Sequence, residues 1–222
     1  MPVYSLSDDI SFPHPSLAAE DGLLAVGGDL QIERLLLAYE NGIFPWFNEE
    51  DPPLWWSPPM RAVIFPNELK ISKSMKQELR KPGYEVRFNT DFSSVIKNCQ
   101  LIRADQEGSW ITEEFILTYT ELHNMGIAHS AETYYNDELV GGLYGLTMGD
   151  IFCGESMFTK RSNASKIAMI KLTERLIEKG YELIDCQITN PHLESLGSRE
   201  IPRADFLNTL YKSLKNRKST DF

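Results

Sequence analysis

Asp185 and Gln187 interrupt the otherwise apolar run Tyr181-Glu182-Leu183-Ile184-Asp185-Cys186-Gln187-Ile188. In an extended strand alternate side chains share a face, so Leu183, Asp185 and Gln187 are expected on one side, with Ile184, Cys186 and Ile188 forming core on the other. A carboxylate and an amide at the end of a buried strand need hydrogen-bond partners, because an unpartnered buried polar group costs about 2–7 kcal/mol. The partner is either a neighbouring backbone group or a substrate. A substrate would make this strand end part of a functional site. A second carboxylate, Glu155, stands in Phe152-Cys153-Gly154-Glu155-Ser156-Met157-Phe158, where alternation puts it on one face with Met157. That face offers a charge beside an apolar wall, or a structural acid with local partners.

The elements that must position these residues follow from hydrophobic period and turn chemistry. Asp91 to Cys99 and Thr112 to Met125 repeat at helical spacing, the latter with Thr112 as N-cap and Gly126 after its end. Strands are expected over Ile127 to Tyr135, Leu139 to Met148 and Ile151 to Phe158, turning at Asn136-Asp137 and Gly149-Asp150. Pairing across the second turn places Gly145 opposite Gly154, Tyr144 opposite Glu155 and Gly142 opposite Met157. Gly141, Gly142, Gly145 and Gly154 would weaken these adjacent strands unless something approaches the backbone closely, and a ligand groove is a natural reason. Ser162 to Lys179 reads as a helix with Gly180 as its C-cap, leading into the strand of Asp185. The chain divides at about residue 62. The part before it is rich in turns and aromatics and holds Trp46, Trp55 and Trp56, three of the four tryptophans. Trp55 and Trp56 read as core, whereas Trp46, beside Pro45 in a loop, suits a stacking platform under a nucleotide base.

The 222 residues can bury a substantial core, and no stretch reaches the roughly 18 apolar residues of a membrane span. A cytoplasmic protein is expected, with no secretion signal at the start and with Cys99, Cys153 and Cys186 reduced. The four histidines lack metal-ligand spacing with those cysteines, so no metal is assigned. The net charge of −10 argues against a nucleic-acid partner, but the charge is polarised. Residues 1–62 hold ten acids against Arg34 and Arg61, whereas Lys70 to Arg87 holds six bases against Glu78 and Glu85. A helix over Ser74 to Lys81 would put Lys73, Lys76 and Arg80 on one face and Ile71, Met75 and Leu79 on the other. That basic face is either a solvated surface or a phosphate contact.

The meander, helix and further strand resemble the GNAT acyltransferase fold, in which acyl transfer to an amine occurs where two central strands splay apart. Those enzymes hold coenzyme A on a glycine-rich loop at the start of the helix. Here that loop, Thr159-Lys160-Arg161-Ser162-Asn163-Ala164-Ser165, has no glycine, which implies another acyl donor and no coenzyme A.

Longer motifs carry a narrower resemblance: Gly22-Leu23-Leu24-Ala25-Val26-Gly27-Gly28-Asp29-Leu30, Gly42 to Phe47, Leu54-Trp55-Trp56-Ser57-Pro58, Trp110-Ile111-Thr112, Phe152 to Phe158, Asn163-Ala164-Ser165-Lys166 and Asp185-Cys186-Gln187. Over nearly its whole length the chain resembles the bacterial leucyl/phenylalanyl-tRNA–protein transferases. The resemblance implies an α/β (α+β) fold with a small N-terminal domain, residues 1–62, and a GNAT-like catalytic domain, residues 63–222. It implies transfer of Leu, Phe or less readily Met from aminoacyl-tRNA to an N-terminal Arg or Lys, marking the acceptor for N-degron degradation. By the same resemblance Trp46 and Trp110 would hold the terminal adenosine, Asp185 and Gln187 would act on the attacking amine, and Glu155 would face the cationic acceptor. Leu143, Met157, Met169 and Leu172 would line the aminoacyl pocket, while Lys73, Lys76 and Arg80 would take the acceptor stem. The rival readings are a GNAT-type acyl-CoA N-acyltransferase and a noncatalytic tRNA-binding protein.

Overall fold

The computed structural model describes residues 3–48, 50–104, 111–215 and 222. The first part contains β1 (Tyr4–Leu6), β2 (Leu23–Gly27), α1 (Ile32–Glu40), β3 (Phe44–Pro45) and β4 (Leu54–Trp56). The remainder contains β5 (Met60–Ile64), α2 (Lys73–Glu78), β6 (Tyr84–Phe88), α3 (Phe92–Ala104), α4 (Glu113–Asn124), β7 (Ala128–Tyr135), β8 (Glu138–Met148), β9 (Ile151–Thr159), α5 (Ala164–Lys179), β10 (Leu183–Gln187), α6 (Pro191–Ser195), β11 (Arg199–Pro202) and α7 (Arg203–Lys215).

The strands form a small sheet in the order β1-β2-β4-β3 and a seven-stranded sheet in the order β11-β5-β10-β9-β8-β7-β6. The hairpin turns work as their residues require: Asn136 and Asp137 adopt φ of 50° and 65°, which these side chains tolerate, and Gly149 adopts 59°. After the antiparallel run β6 to β9, α5 crosses over and returns the chain as β10, parallel to β9. A meander, a crossover helix and a parallel strand beside the meander form the GNAT-like arrangement that the sequence implies.

Both faces of the large sheet are covered. Val95 and Ile96 of α3 and Phe115 and Tyr119 of α4 pack with Tyr144 and Leu146 on one side. Ala168, Met169, Leu172 and Leu176 of α5 pack with Leu143, Phe152 and Ile184 on the other. Gly141 answers to this second layer: a Cβ there would lie 2.5 Å from the Ala164 side chain, so the glycine admits α5 rather than a ligand. Residue 62 falls inside β5, a strand of the large sheet. One buried cluster contains Leu24 and Trp55 together with Val95 and Phe115, so apolar packing runs across that position.

Candidate active site

β9 and β10 pair in parallel from Ile151 opposite Leu183 to Cys153 opposite Asp185, and the ladder stops there. Just beyond, each strand carries an extra residue. On β9, Gly145 faces Gly154 while Tyr144 faces Ser156, which leaves Glu155 without a counterpart. On β10, Val63 faces Asp185 while Ala62 faces Gln187, which leaves Cys186 extra. Such bulges bend a strand and re-aim its side chains. They also shift the expected register: Gly145 does face Gly154, but Tyr144 meets Ser156 rather than Glu155, and Gly142 meets Phe158 rather than Met157.

The second bulge overturns the expected common face of Asp185 and Gln187. Gln187 has φ of 56°, a conformation costing a non-glycine residue about 1–2 kcal/mol. Its N–H donates to Asp185 Oδ1 at 3.0 Å, and the Ile188 N–H donates to Cys186 O at 2.7 Å. The turn brings Gln187 into a groove whose wall includes Ile184, Cys186 and Ile188; of these, Ile184 and Cys186 are buried core as expected, whereas Ile188 is exposed. Asp185 is absent from that wall. It is fully buried, and its two carboxylate oxygens accept from Arg61 Nε and Nη2 at 2.8 and 2.7 Å.

Arg61 is enclosed as completely as its partner. Its guanidinium lies 4.7 Å from the Phe44 ring centroid and 4.6 Å from that of Phe206, and Nη1 donates to Gly42 O at 3.2 Å. Burial opposes its charge, but Asp185 more than compensates and the guanidinium pKa is raised. The bidentate geometry and cation–π contacts make Arg61 a clamp on the base of β10. The charge count that singled out Arg34 and Arg61 as the only bases of residues 1–62 gave no sign that both are buried.

The groove has a volume of about 810 Å³. Leu143, Met157 and Met169 lie on its wall, together with Ile184 and Leu193. Leu172, the fourth expected pocket residue, does not. It is completely buried behind the wall, among Ile184, Phe152 and the apolar face of α5. Gly154 borders the groove with room beside it, the nearest atom to an added Cβ being Asp185 O at 3.7 Å. Trp46 stands at the groove with 46% of its surface exposed, its carbonyl accepting from Trp56 Nε1 at 2.6 Å. Trp55 is core as expected, with Nε1 donating to Gly27 O, whereas Trp56 is half-buried beside Trp46. Trp110 lies outside the described residues.

Glu155 and Gln187 meet where the strands part: Gln187 Nε2 donates to Glu155 Oε1 at 3.2 Å. Burial pushes the Glu155 carboxyl up to about 7; hydrogen bonds from Tyr39 and Tyr119 and the charge of Arg61 draw it down, and Asp185 pushes it up. The two tyrosine hydroxyls are 2.6 Å apart. Both tyrosines are buried on the inner faces of α1 and α4. Nothing in helical spacing separates them from ordinary core aromatics, so sequence reasoning passed over them.

The first two amides of α5 are spent internally. Ala164 N–H donates to Arg161 O at 3.0 Å and Ser165 N–H to Thr159 Oγ1 at 3.2 Å. On the far side of α5, α2 buries Met75 against Ile167 and Ile170 while Lys73, Lys76 and Arg80 are exposed. The helix ends at Glu78, so Arg80 stands just beyond it rather than within the expected span to Lys81.

Residues 63–211 match the family model described as leucyl/phenylalanyl-tRNA protein transferase, and residues 28–59 match that of its N-terminal domain. The chain belongs to this family. It is an aminoacyltransferase. Relatives named leucyl/phenylalanyl-tRNA–protein transferase include those of Syntrophobacter fumaroxidans, 50% identical over 96% of this chain and 92% of the relative, and Thermodesulfovibrio yellowstonii, 52% identical over 100% and 91%. That of Flavobacterium psychrophilum is 53% identical over 95% of this chain and 100% of its own. Among solved structures the chain is similar to L-PGS from Bacillus licheniformis, with a TM-score of 0.44 and 13% identity over 78% of this chain and 55% of that one. A GCN5-related N-acetyltransferase from Kribbella flavida gives a TM-score of 0.42 and 12% identity over 76% and 59%.

Proposed function

We propose that this enzyme takes Leu, Phe or less readily Met from aminoacyl-tRNA and joins it to the N-terminal Arg or Lys of a protein. The observation that carries the reading is the meeting of Glu155 and Gln187 at the parting of β9 and β10, beside the apolar wall of Leu143, Met157 and Met169 and the exposed ring of Trp46. Trp46, and Trp110 by motif, would stack on the 3′-terminal adenosine, the wall would take the aminoacyl side chain, and Lys73, Lys76 and Arg80 would meet acceptor-stem phosphates. Residues 1–62 would thus supply Trp46 to the adenosine platform and Arg61 to the support of β10, and residues 63–222 the groove itself with Trp110, Glu155 and Gln187. The acceptor enters as a cation, and Glu155 faces its positive charge.

The reaction needs positioning more than force. An aminoacyl ester is already activated, and an α-amine with a pKa of about 7.7–8.0 is partly free base near neutrality. Its nitrogen attacks the ester carbonyl, a C–N bond forms, and the bond to the ribose oxygen breaks. Holding amine and ester together supplies much of the rate. Gln187 orients the amine, and Asp185, through the Gln187 N–H and the Arg61 clamp, fixes the strand that presents it. The lack of glycine from Thr159 to Ser165, with the Ala164 and Ser165 amides already engaged by Arg161 and Thr159, speaks against coenzyme A as the donor. A product bearing Leu or Phe ahead of Arg or Lys would be an N-degron made in the cytoplasm.

The deciding experiment incubates the enzyme with Phe-tRNA and an Arg-initiated peptide. A new N-terminal Phe is expected, and acetyl-CoA in place of Phe-tRNA is expected to give neither saturable binding nor acylation. Coenzyme-A-dependent acylation would favour the rival reading.

A further inference from the structure

The amine must lose protons during transfer, and the groove offers few groups to receive one. Asp185 is sealed beneath it, with both oxygens held by Arg61. Gln187 is an amide and holds a proton poorly. Among the described residues on the groove wall, Glu155 is the single carboxylate, and the imidazole there, His192, is made less basic by burial and by the charge of Lys166. The bulge on β9 aims it between β10 and the two helices α1 and α4. The titratable and charged groups that bear on it are Tyr39 of α1, Tyr119 of α4, Asp185 of β10, Arg61 of β5 and Cys153 of its own strand. Gln187 approaches from β10 at 3.2 Å.

The tyrosine pair gives this carboxylate an unusual setting. Tyr39 and Tyr119 are buried, and their hydroxyls bond each other at 2.6 Å. A phenol both donates and accepts. While Glu155 is charged, the pair can point a proton toward it; once Glu155 is protonated, the hydroxyl rotors can reverse and accept. Either protonation state of the carboxyl therefore finds a hydrogen-bond partner in the tyrosine pair.

We propose that Glu155 is the proton acceptor for the α-ammonium of the incoming chain, and that Tyr39 and Tyr119 are positioning residues that keep its carboxyl bonded in both protonation states. This rests on the aminoacyl-transfer reading above and narrows the positive charge that Glu155 faces to the reacting nitrogen itself. Glu155 takes one ammonium proton. The freed lone pair attacks the ester carbonyl, the C–N bond forms, and the C–O bond to the ribose breaks. A second nitrogen proton ends on the ribose oxygen, giving an amide N–H and a free hydroxyl. Glu155 returns its proton to solvent as the products leave the open groove. Its carboxyl pKa of about 7 lies close beneath the α-amine value of about 7.7–8.0, so the transfer is nearly level.

The test is the pH dependence of kcat/KM for an Arg-initiated peptide with saturating Phe-tRNA, for the wild type, Glu155→Gln, Glu155→Asp and Tyr39→Phe, with circular dichroism to confirm folding. The wild type should show an acid limb near pH 7 separate from the α-amine limb near 8. Glu155→Gln should lose the acid limb and fall in kcat by on the order of 100-fold. Glu155→Asp should keep a displaced limb. Tyr39→Phe removes a hydrogen bond that lowers the Glu155 pKa, so its limb should move to higher pH. A folded Glu155→Gln enzyme with wild-type kcat and only a raised peptide KM would overturn the assignment and leave Glu155 as a recognition residue. An unmoved limb in Tyr39→Phe would overturn the positioning role. Failure of the wild type to transfer Phe to the peptide would instead overturn the aminoacyl-transfer reading beneath it.

Discussion

Gln187 reaches Glu155 across the gap between β9 and β10, its Nε2 standing 3.2 Å from Oε1. The contact exists because both strands bulge at the same level, one at Glu155 and one at Cys186. Side-chain chemistry and backbone geometry can be separated here. Gln187→Ala and Gln187→Gly should both lower kcat with aminoacyl-tRNA still bound, since both remove the amide. Glycine also relieves the left-handed backbone, by about 1–2 kcal/mol. Steady-state kinetics on the pair decide the matter: activity restored by Gly but not Ala would mean that the backbone turn, not the amide, is what counts.

Asp185→Ala strands the enclosed Arg61 guanidinium without its counter-ion. The expected loss is about 3–5 kcal/mol of stability, read as a lowered midpoint in denaturant. The double variant Asp185→Leu/Arg61→Met should recover part of it, because an apolar pair needs no compensation. Turnover should stay low in the double variant, as Gln187 has lost the acceptor for its N–H. A folded Asp185→Ala enzyme of normal stability and turnover would remove the clamp from the mechanism.

Trp46→Ala should raise KM for aminoacyl-tRNA by an amount corresponding to roughly 1–3 kcal/mol of lost stacking and hardly move the melting temperature. Trp55→Ala should do the reverse, at about 3–5 kcal/mol of stability, because Trp55 is wholly enclosed. Trp110→Ala is expected to follow Trp46. A melting defect for Trp46→Ala with unchanged KM would return that residue to the core.

Replacing Lys73, Lys76 and Arg80 together by Ala should weaken tRNA binding and flatten its dependence on salt by up to about three units of log–log slope. The exposure of all three favours clean surface substitutions. An unchanged slope would make them a solvated face and nothing more.

Glu155 also ties stability to pH. Its carboxyl is raised above the ordinary range, mainly by burial, to about 7. The folded state therefore holds a proton that the unfolded chain has already released. The associated stability is complete below the unfolded value of about 4.3 and is lost as pH rises through 7. Glu155→Gln cannot ionise, so it should be the more stable protein at pH 8, by on the order of 1–3 kcal/mol, with the advantage gone at pH 5. Melting curves at the two pH values provide the check; equal curves at pH 8 would mean that the site is wet enough to erase the penalty.

The order of elements could be read from the sequence because each carries a local signal: Thr112 caps α4 through the Phe115 N–H, Gly180 ends α5 in a left-handed turn, and Asn136-Asp137 turns β7 into β8. The apolar wall could also be read in part, since Met157 and Met169 sit in periodic runs. Alternation failed at the two bulges, for an extra residue leaves no mark in a pattern of period two. It put Asp185 and Gln187 on one face, whereas Asp185 is sealed beneath the groove and Gln187 is turned into it; Cys186 keeps its expected buried place. Arg61, Tyr39 and Tyr119 were out of reach for a different reason. Their roles come from contacts between residues 80 and 124 positions apart, as in Tyr39 with Tyr119 and Arg61 with Asp185.

Arg61 has a further consequence for how the molecule comes into being. Its guanidinium is walled by Phe44 on one side and Phe206 on the other, with Asp185 at its tip. A nascent chain still lacking α7 would leave that cation half-wrapped and the strand bearing Gln187 unanchored. The centre thus draws on residues made early and late in synthesis. The enclosure of this charge is completed only by a residue from the last described helix, Phe206 of α7.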